Sequence, residues 1–308
     1  MSKIVVVGSF ITDVAVYTPR FPKEGESVMG SRMKFGPGGK GSNQATAAGR
    51  AGGDVIMVTK LGGDFMAEIA LAHYKSEGMS LKYIYKDESC ETGSAVIEIN
   101  ERTAENKIVV MTAANERLTG EEVRAAECEI EGCDAVLLQL EANPEAFFTA
   151  AELGRKHGKT VILNTAPVRE IDESIFALTD YVTPNETEAS YYSGIEVVDE
   201  SSARKAAEAL IGKGAKNVII TLGKMGAYIK ADGVDTVVPS YNVKAVDTTG
   251  AGDAFNGGLA VALAEGKDVV SAVMFANALA ALSVTKNGTS PAMPYRREIE
   301  ALMEAQKL

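Results

Sequence analysis

Residues Asp247 to Gly258 read D-T-T-G-A-G-D-A-F-N-G-G and lead into the apolar run Leu259 to Ala264. Gly250 and Gly252 free the backbone, so the amides of Ala251, Gly252 and Asp253 can converge on an anion at a helix N-terminus, where the dipole adds attraction. Such an arrangement suits a phosphoryl group. Asp253 then has two readings. As a helix cap it would satisfy one backbone amide. Held beside amides that cradle a transferring phosphate, it is also placed to take the proton of an attacking hydroxyl.

A second glycine-rich stretch, Gly36 to Gly41, reads G-P-G-G-K-G. Gly38, Gly39 and Gly41 permit close backbone approach, Lys40 adds a donor and Asn43 an amide, and a helix follows. The group suits a polyhydroxylated or anionic ligand; a plain glycine turn entering a helix is the alternative. The stretch also satisfies G-x-G-x-x-G, with Asp54 eighteen residues on, as a dinucleotide site would. Its context argues against NAD: that fingerprint closes the first βα unit, whereas the first strand here ends at Gly8 and Ser31 to Phe35 is half polar. No G-x-x-x-x-G-K-[ST] occurs, so a phosphotransferase reading is not that of a P-loop enzyme.

The remaining reactive types restrict the chemistry further. Of two histidines, His73 sits in a helical pattern beside Tyr74 and His157 precedes Gly158 at a helix C-terminus, both structural positions. They give no basis for a Ser-His-Asp triad, an H-E-x-x-H zinc site or an H-R-D loop. Cys90, Cys128 and Cys133 lack paired spacing, which predicts buried thiols in a reducing compartment rather than disulfides or a zinc site.

The elements that must position these groups form a repeating pattern. Strand-length apolar runs at Ile4–Val7, Val55–Thr59, Ala135–Leu140, Thr160–Asn164, Tyr181–Thr183 and Val218–Leu222 alternate with helices. The helices are predicted over Asp64–Glu77, Pro144–His157 with Asn143 as N-cap, Glu200–Lys213 and Ala254–Glu265. Such alternation predicts an α/β fold, a doubly wound, mainly parallel sheet flanked by helices. Two regions break the rhythm, about 13–35 and 93–112, the latter with strands Ser94–Ile99 and Lys107–Thr112 around a polar turn. They predict a small antiparallel sheet lying over a cleft or against a second subunit. With no linker or repeat, the 308 residues read as one domain, 1–308, with a lid.

Net charge is −11, which repels phosphate backbones and anionic lipid and argues against nucleic-acid and membrane partners. Apolar stretches fall short of the ~20 residues a bilayer requires. Lys3 is followed by only a short apolar run before Gly8, too short for a signal peptide, so the expected compartment is the cytoplasm.

Together the two glycine-rich segments resemble the two signatures of the ribokinase family of carbohydrate kinases. Gly38, Gly39, Lys40, Gly41 and Asn43 match the first; Asp247, Thr248, Gly250, Ala251, Gly252, Asp253, Phe255, Asn256 and Gly257 match the second. Between them, Thr183 to Glu188 reads T-P-N-E-T-E, like the family's N-x-x-E segment, and Thr221 to Gly226 reads T-L-G-K-M-G, like its nucleotide-side turn. The resemblance covers essentially the whole chain.

The resemblance implies a ribokinase-like fold and transfer of the γ-phosphoryl of ATP to the primary hydroxyl of a pentose, D-ribose first and 2-deoxyribose second. Asp253 would be the base, with Gly250, Ala251 and Gly252 stabilising the transferring group. Asp13, Gly39, Lys40, Asn43 and Glu141 would hold the sugar. Thr221 and Gly223 would line the nucleotide side, Asn277 would lie near the adenine, and Asn185 and Glu188 would organise Mg²⁺ through water. A monovalent cation, K⁺, would sit at Asp247 and Thr249 with carbonyls around Ser283, Lys286 and Gly288. The small sheet would close over the sugar and form a homodimer interface. One position departs from the pattern: Ile11 stands where several members carry an Asn, removing one polar contact to the sugar, a change that suits a deoxy sugar or is neutral. Two other classes remain open: a nicotinamide oxidoreductase, and a sugar-binding protein that uses the pocket without the base.

Overall fold

The computed structural model describes residues 1–103, 105–231 and 233–306. The chain opens with β1 (Lys3–Val7), leaves for β2 (Ile11–Thr18) and β3 (Arg32–Gly38), and returns through α1 (Lys40–Arg50), β4 (Asp54–Gly62), α2 (Phe65–Ser76) and β5 (Ile84–Asp87). A second excursion makes β6 (Ser94–Asn100) and β7 (Asn106–Met111). Then follow α3 (Gly120–Arg124), α4 (Glu127–Glu131), β8 (Ala135–Gln139), α5 (Pro144–Lys156), β9 (Thr160–Asn164), β10 (Tyr181–Val182), α6 (Glu186–Ser193), α7 (Glu200–Gly212) and β11 (Asn217–Thr221). The chain ends with β12 (Ala227–Ala231), β13 (Val234–Val238), α8 (Ala251–Ala264), α9 (Val269–Ser283) and α10 (Arg296–Ala305).

Nine strands form the main sheet in the order β13-β12-β11-β10-β9-β8-β1-β4-β5. From β11 to β5 every pairing is parallel, while β12 and β13 add an antiparallel edge that the helical rhythm does not announce. Strand side chains alternate between two cores, as a period of two requires. Ile4, Val6, Leu137, Ile162 and Ile219 face the core built with α1, α2, α8, α9 and α10. Val5, Val7, Val136, Leu138, Val161 and Val218 face the core built with α3 to α7. Both faces are covered, which is why these strands read as unbroken apolar runs. Among the described residues no helix is long and apolar enough to cross a membrane.

The second sheet has the order β3-β2-β6-β7. The expectation of purely antiparallel pairing is corrected: β2 and β6 run parallel, with Asp13 opposite Ala95, because both strands leave the main body in the same direction. The outer pairs are antiparallel. Asn115 anchors this excursion by accepting from the Phe10 amide at 3.0 Å and donating to the Phe10 carbonyl at 2.9 Å. The β7 edge of the sheet is bare on both faces: Val96, Val109 and Met111 are exposed on one, Ile108 and Val110 on the other. The thiols also depart from expectation: Cys133 is buried, Cys90 half-buried and Cys128 exposed, all three unpaired. Cys128 lies on α4, its Sγ 3.6 Å from the Tyr83 hydroxyl.

Candidate active site

In parallel α/β sheets ligands bind beyond the carboxyl ends of the strands, where the strand order reverses. Here the reversal lies at β1, which passes the chain to β4 on one side and pairs with β8 on the other. Ser9, just past β1, donates to Glu141, just past β8, at 2.5 Å, and the Lys40 amide donates to the same Glu141 oxygen at 2.8 Å. Three segments far apart in sequence therefore meet at one carboxylate.

The helix after the second glycine-rich motif starts earlier than expected. It begins at Ala251 rather than Ala254, behind Gly250 in the left-handed region at φ 79°. Asp253 therefore lies inside the first turn, and its carboxylate caps no amide. Instead Oδ2 accepts from Asn43 Nδ2 at 2.9 Å and Oδ1 from Gln44 Nε2 at 3.0 Å. The group is buried, 6% exposed, and faces the cleft rather than its own helix end. The expected trio of converging amides is also corrected. Ala251 N–H is spent on the Thr248 carbonyl at 3.2 Å. Gly252 and Asp253 remain as first-turn amides without an intrahelical acceptor, at the positive end of α8.

Gly257 makes this geometry possible. A Cβ there would lie 2.5 Å from Ala47 Cβ and 2.7 Å from the Gln44 carbonyl, so only glycine lets α8 approach α1 closely enough for Asn43 and Gln44 to reach Asp253. Asn256, one residue earlier, donates to the Gly252 carbonyl and accepts from Thr183 Oγ1 at 2.5 Å, fastening the first turn of α8 to the end of β10.

Around Asp253 the expected sugar ligands converge. Asp13 is held by Thr289 Oγ1 at 3.4 Å, and burial, with Glu141 and Asp253 nearby, pushes its carboxyl up to about 7 against that hydrogen bond. Burial works against the Lys40 ammonium, yet the carboxylates of Asp253, Glu141 and Glu188 outweigh it and hold its pKa above the ordinary lysine value. Gly39, at φ 87°, turns the chain from β3 into α1. Gly36 to Gly41 thus spans the end of β3, a strand of the small sheet, and the start of α1, so the dinucleotide context is missing. Ile11 and Asp13 share one face of β2 by alternation, and Ile11 is packed beneath Gly93.

The other expected positions fall into two groups. Asn185 and Glu188 are the two halves of the capping box of α6: Asn185 Oδ1 accepts from the Glu188 amide, Glu188 Oε2 accepts from the Asn185 amide, and Asn185 Nδ2 donates to Oε1 at 2.9 Å. Burial raises the Glu188 pKa above the usual carboxylate value. Thr221 ends β11 and bridges to Asn185, and Gly223 follows in a single 3-10 turn. Asn277 spends both amide hydrogens on the Val238 and Pro239 carbonyls. Asp247 accepts from the Thr249 and Gly288 amides at 3.0 Å each, and these donors outweigh burial to hold its pKa below the usual range. The Ser283 carbonyl accepts from the Lys286 amide, and Lys286 Nζ pairs with Glu298. His73 bonds Thr46 and His157 pairs with Glu127, both away from this cleft.

Several contributors carry no motif of their own. Gln44, Gln139, Asn164, Thr289 and Ser290 all join the network around Asp253, Asn43 and Asp13. One signal for them was present: β8, β9 and β11 each run apolar and then end on a polar residue, Gln139, Asn164 and Thr221, at the carboxyl edge where ligands bind.

A doubly wound sheet with a small sheet beside its switch point, and a buried carboxylate beside a helix N-terminus, defines a phosphotransferase that acts on a hydroxyl of a polar acceptor. The chain belongs to the pfkB family of carbohydrate kinases, whose model matches residues 1–296. It is 38% identical over 301 residues to a ribokinase of Haemophilus influenzae, covering 98% of both chains. It is 39% identical over 292 residues to a deoxyribokinase of Salmonella typhi, covering 94% of this chain and 95% of that one. The solved structure of Arabidopsis thaliana ribokinase complexed with ribose and ATP superposes with a TM-score of 0.89 at 29% identity, covering 99% of each chain.

Proposed function

We propose that the protein transfers the γ-phosphoryl of ATP to the 5-hydroxyl of D-ribose, with 2-deoxyribose the competing acceptor. The observation that carries this reading is the Asp253 carboxylate, fixed at the amino end of α8 by Asn43 and Gln44 and ringed by Asp13, Lys40 and Glu141. Asp13, Lys40, Asn43, Glu141 and the backbone at Gly39 hold the sugar hydroxyls. The O5 proton passes to Asp253 as the O5–Pγ bond forms and the bond from Pγ to the ADP oxygen breaks. Gly250 positions the Ala251–Asp253 turn, whose Gly252 and Asp253 amides bear on the charge of the transferring group. Thr221, Gly223 and Asn277 line the nucleotide.

Among the described residues no cluster of three or more His, Cys, Asp or Glu is arranged to hold a metal directly. The oxygen and amide donors of Asn185 and Glu188 instead fit Mg²⁺ held through water and nucleotide phosphates, which would neutralise phosphate charge. Asp247 and Thr249, with carbonyls around Ser283, Lys286 and Gly288, fit a monovalent cation such as K⁺ beside the α8 N-terminus. We place the enzyme in the cytoplasm, supported by three unpaired thiols. The exposed apolar side chains of the β7 edge, Ile108 to Met111, support a homodimer through the small sheet.

The test is ADP release by the purified protein with Mg²⁺-ATP and K⁺, against ribose, 2-deoxyribose, fructose, adenosine and no sugar. Release with ribose exceeding the rest supports the reading. Release with fructose or adenosine alone, or no release above the blank, contradicts it.

A further inference from the structure

Behind Asp253, away from the cleft, lies a line of amide side chains that no motif explains. Gln44 and Gln139 are completely buried and Asn164 is 5% exposed. Asn164 Nδ2 donates to the Thr183 carbonyl at 2.9 Å, and a backbone carbonyl can only accept. Asn164 must therefore present its oxygen to Gln44, and Gln44 must answer with its nitrogen, at 3.0 Å. The same nitrogen has a second hydrogen, directed at Asp253 Oδ1, also at 3.0 Å. Gln44 Oε1 in turn accepts from Gln139 Nε2 at 2.7 Å.

The polarity of the whole line is thus set at one end, by main chain that cannot reverse. Its other end shows the consequence: Gln139 Oε1 is buried without a partner among the described residues. Turning that amide over would set its oxygen against Gln44 Oε1, so the unpaired acceptor is tolerated to keep the direction. On the cleft side Ser290 Oγ donates to Asn43 Oδ1 at 2.7 Å, which aims Asn43 Nδ2 at Asp253 Oδ2. Each carboxylate oxygen is met by one fixed donor and keeps one lone pair for an incoming hydroxyl.

We propose that Gln44 is a positioning residue for the phosphoryl-transfer step: a buried amide, oriented through Asn164 by the Thr183 carbonyl, that fixes the Asp253 carboxylate as an acceptor aimed at the sugar hydroxyl. The proposal rests on Asp253 being the base. Gln44 is set apart from Asn43 by its place, since it reaches Asp253 from the sheet side and, among the described residues, its side chain bonds only other side chains of this network.

Gln44→Leu removes both donors at similar volume. With saturating Mg²⁺-ATP and ribose or 2-deoxyribose, kcat falls at least tenfold, while the Kd of the sugar by calorimetry stays within threefold because Asp13, Lys40, Asn43 and Glu141 are intact. Wild-type kcat in folded Gln44→Leu, or a loss confined to sugar affinity, overturns the proposal. Gln44→Glu carries the test if the leucine variant does not fold. An introduced carboxyl donates to Asp253 only when protonated, so the optimum of the pH–rate profile moves down by about one unit, whereas a merely structural lesion lowers the rate and leaves the optimum in place. Asp253→Asn is measured beside them. Full turnover there refutes the base itself, whereas lost turnover there with normal kcat in Gln44→Leu refutes the role of Gln44 alone.

Discussion

On the main sheet, α1 and α8 pack so closely that Asn43, Gln44, Asp253 and Asn256 are all 6% exposed or less, and each oxygen of the Asp253 carboxylate is met by a side-chain amide. The small sheet is built the other way. It shares one edge of the cleft through Ile11 and Asp13, while β7 leaves every residue exposed and Val109 is 62% exposed. In the proposed function the base lies in the half whose geometry is over-determined, whereas the sugar is held from both halves: by Lys40, Asn43 and Glu141 of the main body and by Asp13 of the small sheet, the half that has surface left to bury. Preorganised groups act on the transition state without rearranging, whereas a sheet that closed over the sugar would exclude water from the transfer.

Four substitutions would break or sharpen that contrast. The largest effect is expected on the recognition side, from Asp13→Asn. The folded carboxyl titrates near 7, above the ~3.9 of an unfolded aspartate. The folded state therefore holds the extra proton between those values, and the protein loses stability as pH rises through that window and no more above it. Removing the charge stabilises the apoprotein at pH 8 by on the order of 3 kcal/mol and leaves it unchanged at pH 3. Sugar affinity falls by roughly 1.5–3 kcal/mol with the lost charged hydrogen bond. Thermal melts at the two pH values and sugar titration check both; equal stabilisation at pH 3 would sink the account of Asp13.

Gly257→Ala probes the rigid half. Its Cβ has no space against Ala47 and Gln44, so overpacking costs about 1–3 kcal/mol and pushes α8 off α1, with turnover falling tenfold or more. Loss of stability without loss of turnover would show that this contact does not set the Asp253 geometry. Ile11→Asn follows, on the face shared with Asp13. It is expected to shift the ratio of kcat/KM for ribose over 2-deoxyribose toward ribose by several-fold, about 1 kcal/mol. An unmoved ratio removes Ile11 from selectivity. Val109→Lys is the mildest: the fold shifts by less than about 0.5 kcal/mol, yet sedimentation moves from dimer to monomer. Unchanged sedimentation places the interface elsewhere.

The same contrast explains what could be read from the chain. The parallel strands and the helices between them were legible because burial on two faces demands unbroken apolar runs, and Thr160–Asn164 fits its strand end to end. The antiparallel edge β12–β13 lies outside that rhythm, since Ala227–Ala231 and Val234–Val238 carry no helix between them; its signal in the chain is the Asp232-Gly233 pair that separates them, a dipeptide favoured in two-residue hairpin turns. The parallel β2–β6 pairing depends on where Phe10 and Gly93 leave the main body, a tertiary relation that local pattern does not carry. In the site, the two glycine-rich segments announced themselves by spacing. Whether Asp253 caps its helix turned on three residues of helix boundary, and boundaries are set by packing against α1 rather than by propensity. Gln44, Gln139 and Asn164 stayed silent because their roles lie in bonds between segments 95 to 120 positions apart.

The central claim is that Asp253 takes the sugar proton. It is tested most directly by pre-steady-state ADP formation in wild type and Asp253→Asn, with sugar and ATP binding measured on the same preparations. The account predicts that binding of both substrates persists and that the transfer step slows by roughly 10²–10⁴-fold, the range of a lost general base. A transfer step within a few-fold of wild type in the Asp253→Asn protein would contradict it.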